Sequence, residues 1–224
     1  MKLNRRSLLT VFDSLLSAYG PQYWWPGDTP FEIMVGAVLT QNTAWSNVEK
    51  AIANLASRDK LSPEAILAAR RDHLANWLRP SGYFNVKAER LKNFSRCYVE
   101  AGGYDALSKL DTGTLRDTLL SVNGVGPETA DDMLLYAFGR PVFVIDAYTR
   151  RLFSRLGFIA GDEAYEDLRL ACEDKLGAKA GLYNDFHALI VLHAKTICRV
   201  RPRCDDCMLR VNCPAGRGVQ EPAP

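Results

Sequence analysis

The chain lacks most of what other functional classes need. It has no apolar run long enough to cross a bilayer and no stretch in which apolar and polar residues alternate over the length of a strand, so neither a membrane protein nor a sheet-based fold is expected. Lys2, Arg5 and Arg6 precede a short apolar stretch, but Asp13 interrupts it and no small-residue cleavage site follows, which argues against a secretory signal. Excess charge is scarce: 28 Lys and Arg against 26 Asp and Glu leave +2, too little for the whole surface to trap a polyanion. Repeats, low-complexity tracts and long linkers are missing, and only the tail after Pro214 reads as disordered. A cytoplasmic protein is expected, and any nucleic-acid contact must come from local charge, such as the cluster Lys195, Arg199, Arg201, Arg203 and Arg210.

What the chain has is helical periodicity. Its 224 residues suit one or two domains, and with 47% hydrophobic residues it can bury a real core. Apolar residues recur at three- and four-residue spacing almost throughout, which predicts an all-α fold. One helix begins near Arg5 and ends at Gly20. Another begins at Thr29, where Thr29-Pro30-Phe31-Glu32 offers an N-cap, a first-position proline and a capping-box glutamate. Further helices are expected over 46–56, 63–70, 72–78, 85–101, 114–121, 128–138, 147–156, 163–176 and 182–197, with turns at Pro80-Ser81-Gly82, Gly102-Gly103 and Gly157. The simplest packing is two helical lobes with a cleft between them, where ligands usually bind.

Two local patterns carry chemistry. The first is Ser121-Val122-Asn123-Gly124-Val125-Gly126-Pro127-Glu128-Thr129-Ala130. Gly124 and Gly126 allow positive φ and close approach, and Pro127 at a first helical position leaves the following amides pointing outward at the positive end of a helix dipole, a seat for phosphate. Alone, such a pattern is an ordinary turn. Asp146, twenty residues beyond Gly126, adds a carboxylate that the grip could aim, or a cap for a helix starting at Ala147. The second pattern is Cys198-x5-Cys204-x2-Cys207-x5-Cys213, which in a cytosolic chain reads as metal ligation rather than disulfides. One central Cys-x2-Cys flanked by lone cysteines suits a [4Fe-4S] cluster better than structural zinc, which commonly uses two Cys-x2-Cys arms. No pair is poised as a redox dithiol, so the group is expected to fold the segment and hold its arginines. Cys97 and Cys172 read as core thiols, and His187 and His193, six residues apart, share no helix face for a metal and read as structural.

Helix, Gly-Val-Gly hairpin, helix, an aspartate twenty residues on and a four-cysteine loop together resemble the helix-hairpin-helix DNA glycosylases of the endonuclease III superfamily, over most of the chain. Leu39-Thr40-Gln41-Asn42-Thr43 resembles the family loop whose glutamine enters the duplex, 81–88 resembles its Gly-Leu/Phe-Tyr-x-x-Lys-Ala turn, and His193-Ala194-Lys195-x2-Cys198 resembles the lead into its cluster. The first cysteine gap is one residue shorter than the usual family spacing. Bifunctional members carry a hairpin lysine where this chain has Glu128, and a carboxylate cannot form a Schiff base. Adenine-excising relatives place a glutamate where Ala37 stands. Tyr23-Trp24-Trp25-Pro26, Trp45, Arg79-Pro80-Ser81-Gly82 and Gly126-Pro127-Glu128-Thr129-Ala130-Asp131 are similar to the 3-methyladenine DNA glycosylase branch.

The resemblance implies a barrel of six helices over 22–135 ending in the hairpin, and a discontinuous helical domain from 1–21 and 136–224 that holds a [4Fe-4S] cluster on Cys198, Cys204, Cys207 and Cys213. It implies a monomeric, monofunctional base-excision enzyme acting on duplex DNA with a damaged, alkylated purine, cytoplasmic and nucleoid-associated. Gly124, Val125, Gly126, Glu128 and Thr129 would grip phosphate. Gln41 and Asn42 would fill the emptied place in the stack while Ser81, Gly82 and Tyr83 open the other side. Trp24, Trp25, Pro26 and Trp45 would wall the base pocket, since indole faces favour a cationic purine. Lys195 reads as a surface lysine within reach of that pocket, and Asp146 would be the catalytic carboxylate. The rival readings are an endonuclease III-like enzyme for oxidised pyrimidines or mismatched bases, and a non-catalytic iron–sulfur DNA-binding module.

Overall fold

A computed structural model describes residues 1–218. Among them there is no strand, and no helix is long and apolar enough to cross a membrane. Two compact units emerge, one of Met1–Trp24 with the chain from Pro141 on, the other of Trp25–Arg140.

In the Trp25–Arg140 unit the helices are α2 (Pro30–Leu39), α3 (Trp45–Ala56), α4 (Pro63–Ala68), α5 (Arg71–Trp77), α6 (Phe84–Glu100), α7 (Gly103–Leu107), α8 (Thr112–Leu120) and α9 (Pro127–Asp132). Helix α2 is apolar on every side, with Phe31 and Met34 to Leu39 all buried, which makes it the central helix of this unit. Its start is capped as the sequence predicts: Thr29 accepts from the Glu32 amide at 3.1 Å, and the Glu32 carboxylate accepts from the Asp28 amide at 3.2 Å. Around it pack Leu91 and Phe94 of α6 and Met133 and Leu134, all essentially inaccessible. The single helix expected over 128–138 is instead α9 followed by a π-helical turn, Met133–Ala137, a widening that frequently marks functional segments. Helix α7 replaces part of the expected Gly102-Gly103 turn, because five residues are too few for periodicity to register.

The other unit holds α1 (Arg5–Tyr19), α10 (Ala147–Arg155), α11 (Tyr165–Leu176), α12 (Ala180–Thr196) and α13 (Pro214–Arg217). Helix α12 is buried along Phe186 to Val191 and forms its centre, meeting Leu8, Val11 and Leu15 of α1 and the edge of the Phe143 ring. The extended stretch Val142 to Ile145 is buried and delivers Asp146 to the start of α10. Disorder after Pro214 is not what the structure shows as far as residue 218: Pro214 opens α13, Gly216 is buried, and the Arg217 amide donates to Cys213 O at 3.0 Å. The remaining tail, 219–224, lies outside the described residues.

Candidate nucleic-acid interface and catalytic carboxylate

Between α8 and α9 the chain turns with Val122 and Val125 as buried pegs, and the Val125 amide donates to Val122 O at 3.0 Å. Gly124 sits at φ +98°, and any Cβ there would collide with the Arg90 stem, so two independent constraints demand glycine. The first helical bond of α9 runs from the Ala130 amide to Gly126 O, which leaves the amides of Glu128 and Thr129 at the helix start without an intrahelical acceptor. Gly126 and Glu128 are exposed; Thr129 is buried and turns its hydroxyl inward.

That hydroxyl receives Gln41. The Gln41 amide donates to Thr129 Oγ1 at 2.8 Å and to Gly124 O at 3.3 Å, and its oxygen accepts from the Arg90 guanidinium. The glutamine therefore ties its loop to the hairpin in the free protein. Beside it Asn42 is exposed at φ +54°. In the 3₁₀ turn Arg79–Ser81, Ser81 is fully buried and its hydroxyl donates to Leu78 O at 2.8 Å, so that hydroxyl is not offered to a ligand. Gly82 at φ +68° and Tyr83 at φ +47° follow, and Tyr83 projects with 71% of its surface exposed. Beneath both loops lies Lys87, whose ammonium donates to Leu39 O and Ser81 O.

Aromatic side chains gather in both units. Trp25 meets Trp45 edge-on with centroids 4.9 Å apart and Tyr136 of the π turn at the same distance. Gly36 makes room for them, since a Cβ there would come within 3.0 Å of Trp25 Nε1 and 3.2 Å of Trp45. Pro26 is exposed beside them in sequence.

In the other unit Asp146 caps α10, accepting from the Thr149 amide at 2.7 Å. Its second oxygen lies 3.5 Å from His187 Nε2, with both side chains nearly buried. Burial pushes the carboxyl pKa up, but His187 and the Thr149 amide outweigh it and hold Asp146 below the usual carboxylate range, so it is ionised near neutrality. Trp24 stacks on His187 at 6.3 Å. The Lys195 ammonium lies 5.7 Å from the Trp24 centroid and 5.8 Å from that of Tyr148. Desolvation lowers its pKa while Asp146 opposes the shift. Carboxylate, imidazole, indole, phenol and ammonium thus share one locality, in which the ionised Asp146 is the group able to stabilise developing positive charge.

Four cysteines, Cys198, Cys204, Cys207 and Cys213, line one cavity with Leu152, Arg155 and His193. The Arg155 guanidinium approaches Cys198 Sγ at 3.2 Å and also donates to Arg199 O and Val200 O, while Tyr19 Oη meets His193 Nδ1 at 2.9 Å and His193 Nε2 lies 3.7 Å from Cys207 Sγ. Among the described residues no three His, Cys, Asp or Glu side chains stand close enough to share one metal ion. Thiolates are ligands that iron–sulfur clusters and structural zinc share, so the donor set suits either group.

Periodicity and motifs in one sequence do not reveal the contacts of His187, Tyr136 or Arg90, because each reaches its partner from a distant part of the chain.

Residues 35–177 match the HhH-GPD superfamily base excision DNA repair protein family. A protein of Methanocaldococcus jannaschii named a putative DNA repair glycosylase is 46% identical over 217 residues, 95% of this chain and 99% of its own length. Endonuclease III of Sulfolobus acidocaldarius is 30% identical over 191 residues, 82% of this chain and 81% of that protein. The crystal structure of H. pylori 3-methyladenine DNA glycosylase bound to 1,N6-ethenoadenine superposes with a TM-score of 0.73 at 31% identity, covering 86% of this chain and 98% of that one. Matched by the family over residues 35–177 and 46% identical to the Methanocaldococcus jannaschii protein over 95% of its length, the chain belongs to the HhH-GPD superfamily of base excision DNA repair glycosylases.

Proposed function

We propose that this chain is a monofunctional DNA glycosylase that hydrolyses the N-glycosidic bond of ring-alkylated, cationic purines such as 3-methyladenine, working as a monomer on duplex DNA in the cytoplasm. One observation carries the reading. Asp146 is held ionised beside Trp24, while the hairpin presents Glu128 where strand-cutting relatives need a lysine. The likeness to the H. pylori 3-methyladenine enzyme supports it.

Amides of Gly124, Gly126, Glu128 and Thr129 take a phosphate while Val125 anchors the turn between them, which positions the duplex without reading sequence. Gln41 and Asn42 enter the stack from one side and the Gly82–Tyr83 tip from the other, so Gln41 leaves its hydrogen bonds with Thr129 and Arg90 on the way. The extruded base stacks on Trp24 beside Asp146. A cationic purine departs as a neutral molecule with the bonding electron pair, which explains why no acid is needed at Ala37. Asp146 stabilises the oxocarbenium-like sugar and orients the water whose oxygen bonds C1′ as its proton is released. The product is an intact strand with an abasic site.

Cys198, Cys204, Cys207 and Cys213 would hold a [4Fe-4S] cluster, which when bound supplies cross-linking of the C-terminal loop rather than the bond-breaking step. One cavity lined by all four cysteines and a single central Cys-x2-Cys support this over zinc.

A lesion panel tests the reading. Duplexes carrying 3-methyladenine, an oxidised pyrimidine or a mismatch are incubated with the enzyme and scored for strand breaks before and after alkali. Breaks only after alkali, and only with the alkylated purine, are expected. Release of oxidised pyrimidine alone would establish the second reading, which the likeness to endonuclease III favours.

A further inference from the structure

Lys87 is the one lysine buried to 1% exposure, and no carboxylate pairs with it among the described residues. Its ammonium donates to Leu39 O at 2.9 Å, where α2 ends, and to Ser81 O at 2.6 Å, just before α6. Arg90 is the like charge nearby, and desolvation pushes the Lys87 pKa down to about 8. An ammonium buried without a counter-charge is a costly way to fill space, and an apolar chain of similar volume would serve a core better.

Its two acceptors lie at the roots of the two tips, Leu39 three residues before Asn42 and Ser81 two residues before Tyr83. Each loop tip then carries a non-glycine residue in the left-handed region, Asn42 at φ +54° and Tyr83 at φ +47°. Such conformations persist only where the surroundings impose them. Because one nitrogen holds both carbonyls, the roots of the two tips cannot separate by more than two hydrogen-bond lengths.

We propose that Lys87 is a positioning residue that fixes the gap between the Gln41–Asn42 tip and the Gly82–Tyr83 tip, so that the two enter the duplex as one tool of set width. This rests on the reading above that these tips open the stack, but not on which base is removed. Misplacement of a reacting group by about 1 Å can cost on the order of a hundredfold in rate, and a loosened gap acts on extrusion in the same way.

The test uses the full chain with its metal and a duplex in which 2-aminopurine neighbours a tetrahydrofuran abasic analogue, so that extrusion is read by fluorescence without base cleavage. Lys87→Met is expected to melt no lower than the wild type and to bind undamaged duplex equally well, while the rate of the 2-aminopurine rise falls about tenfold or more. Lys87→Arg keeps charge and donors and folds in any case. It is expected to slow extrusion as well, and Tyr83→Ala should add little further loss in that background although it slows the wild type. A folded Lys87→Met protein with a wild-type fluorescence rate would overturn the proposal, as would strictly multiplicative effects of Lys87→Arg and Tyr83→Ala. If the wild type extrudes the probe but releases no alkylated purine, the substrate reading falls and the role of Lys87 stands.

Discussion

Asp146 Oδ2 lies 3.5 Å from His187 Nε2 while the other carboxylate oxygen accepts from the Thr149 amide, so one aspartate is both the cap of α10 and the partner of a buried imidazole. The cap fixes where the carboxylate points, and the imidazole offsets the burial that would otherwise protonate it. Catalytic and structural readings of Asp146 therefore describe a single arrangement. Asp146→Asn should lower base release by about two to three orders of magnitude while leaving affinity for undamaged duplex largely intact. Retained release would remove Asp146 from the mechanism.

The same pair sets a pH dependence. The folded pKa of Asp146 is depressed, so its ionised form contributes stability above the unfolded pKa, and that contribution is lost as pH falls through the folded value. His187→Gln removes the largest lowering influence and leaves desolvation in place. The acidic limb of the base-release profile should move to higher pH, and the acid-side loss of stability should shrink. A profile unchanged by His187→Gln would show that the imidazole does not govern the carboxylate.

Much of this was legible in the chain. Pro127 and Gly124 mark the hairpin, Asp146 before Ala147 marks a cap, and cysteine spacing marks the C-terminal loop, because each is a local pattern with a local physical cause. The interactions that tune them were not. His187 meets Asp146 across a long stretch of primary structure, and Arg90 presses on Gly124 from another helix. Helical spacing sets the two histidines on different faces, yet it is silent on a carboxylate brought in by a separate segment. Lys87 stands in the 81–88 motif, but spacing does not show that its ammonium is buried between two carbonyls.

Gly124→Ala meets both constraints at that position. The φ of +98° costs a non-glycine residue on the order of 1–3 kcal/mol, and the Arg90 stem must also move. Arg90 holds Gln41, so the damage should spread to that loop. Chemical denaturation should show the loss of stability, and fluorescence anisotropy should show weaker binding to undamaged duplex. A stable Gly124→Ala protein with normal affinity would refute the account of the hairpin.

Lys87 predicts a rise of stability with pH. Its folded pKa is about 8 against an ordinary value of 10.5, so between those limits the unfolded chain binds a proton that the folded one has released, and stability climbs with pH. Below pH 8 the burial cost of the charge is felt in full, and above 10.5 it is absent. Relative to Lys87→Met, the wild type should gain on the order of 1–3 kcal/mol across this window, a ceiling set by roughly 1.4 kcal/mol per unit. Urea titrations of both proteins at several pH values measure the difference. Parallel curves would mean that the ammonium is not desolvated as its two carbonyl partners imply.

The cysteine loop gives the last test. Four cysteines lining one cavity, braced by Arg155 on the carbonyls of Arg199 and Val200, together with the single central Cys-x2-Cys of the sequence predict brown protein with about four iron and four sulfide per chain after anaerobic purification. Stoichiometric zinc without iron would defeat it. Tyr19 and His193 close the inner side of the cavity from helices that have their own core, so chelation should loosen the loop without melting α1 or α12. Hydrogen exchange should accordingly rise over 198–217 and stay low along those helices. The loop also carries Arg199, Arg201, Arg203 and Arg210, and every phosphate that these side chains cease to neutralise makes the slope of log affinity against log salt shallower by about 0.9. Chelation should therefore weaken duplex binding and flatten its salt dependence together, and a slope that stays steep would show that these arginines do not meet the DNA.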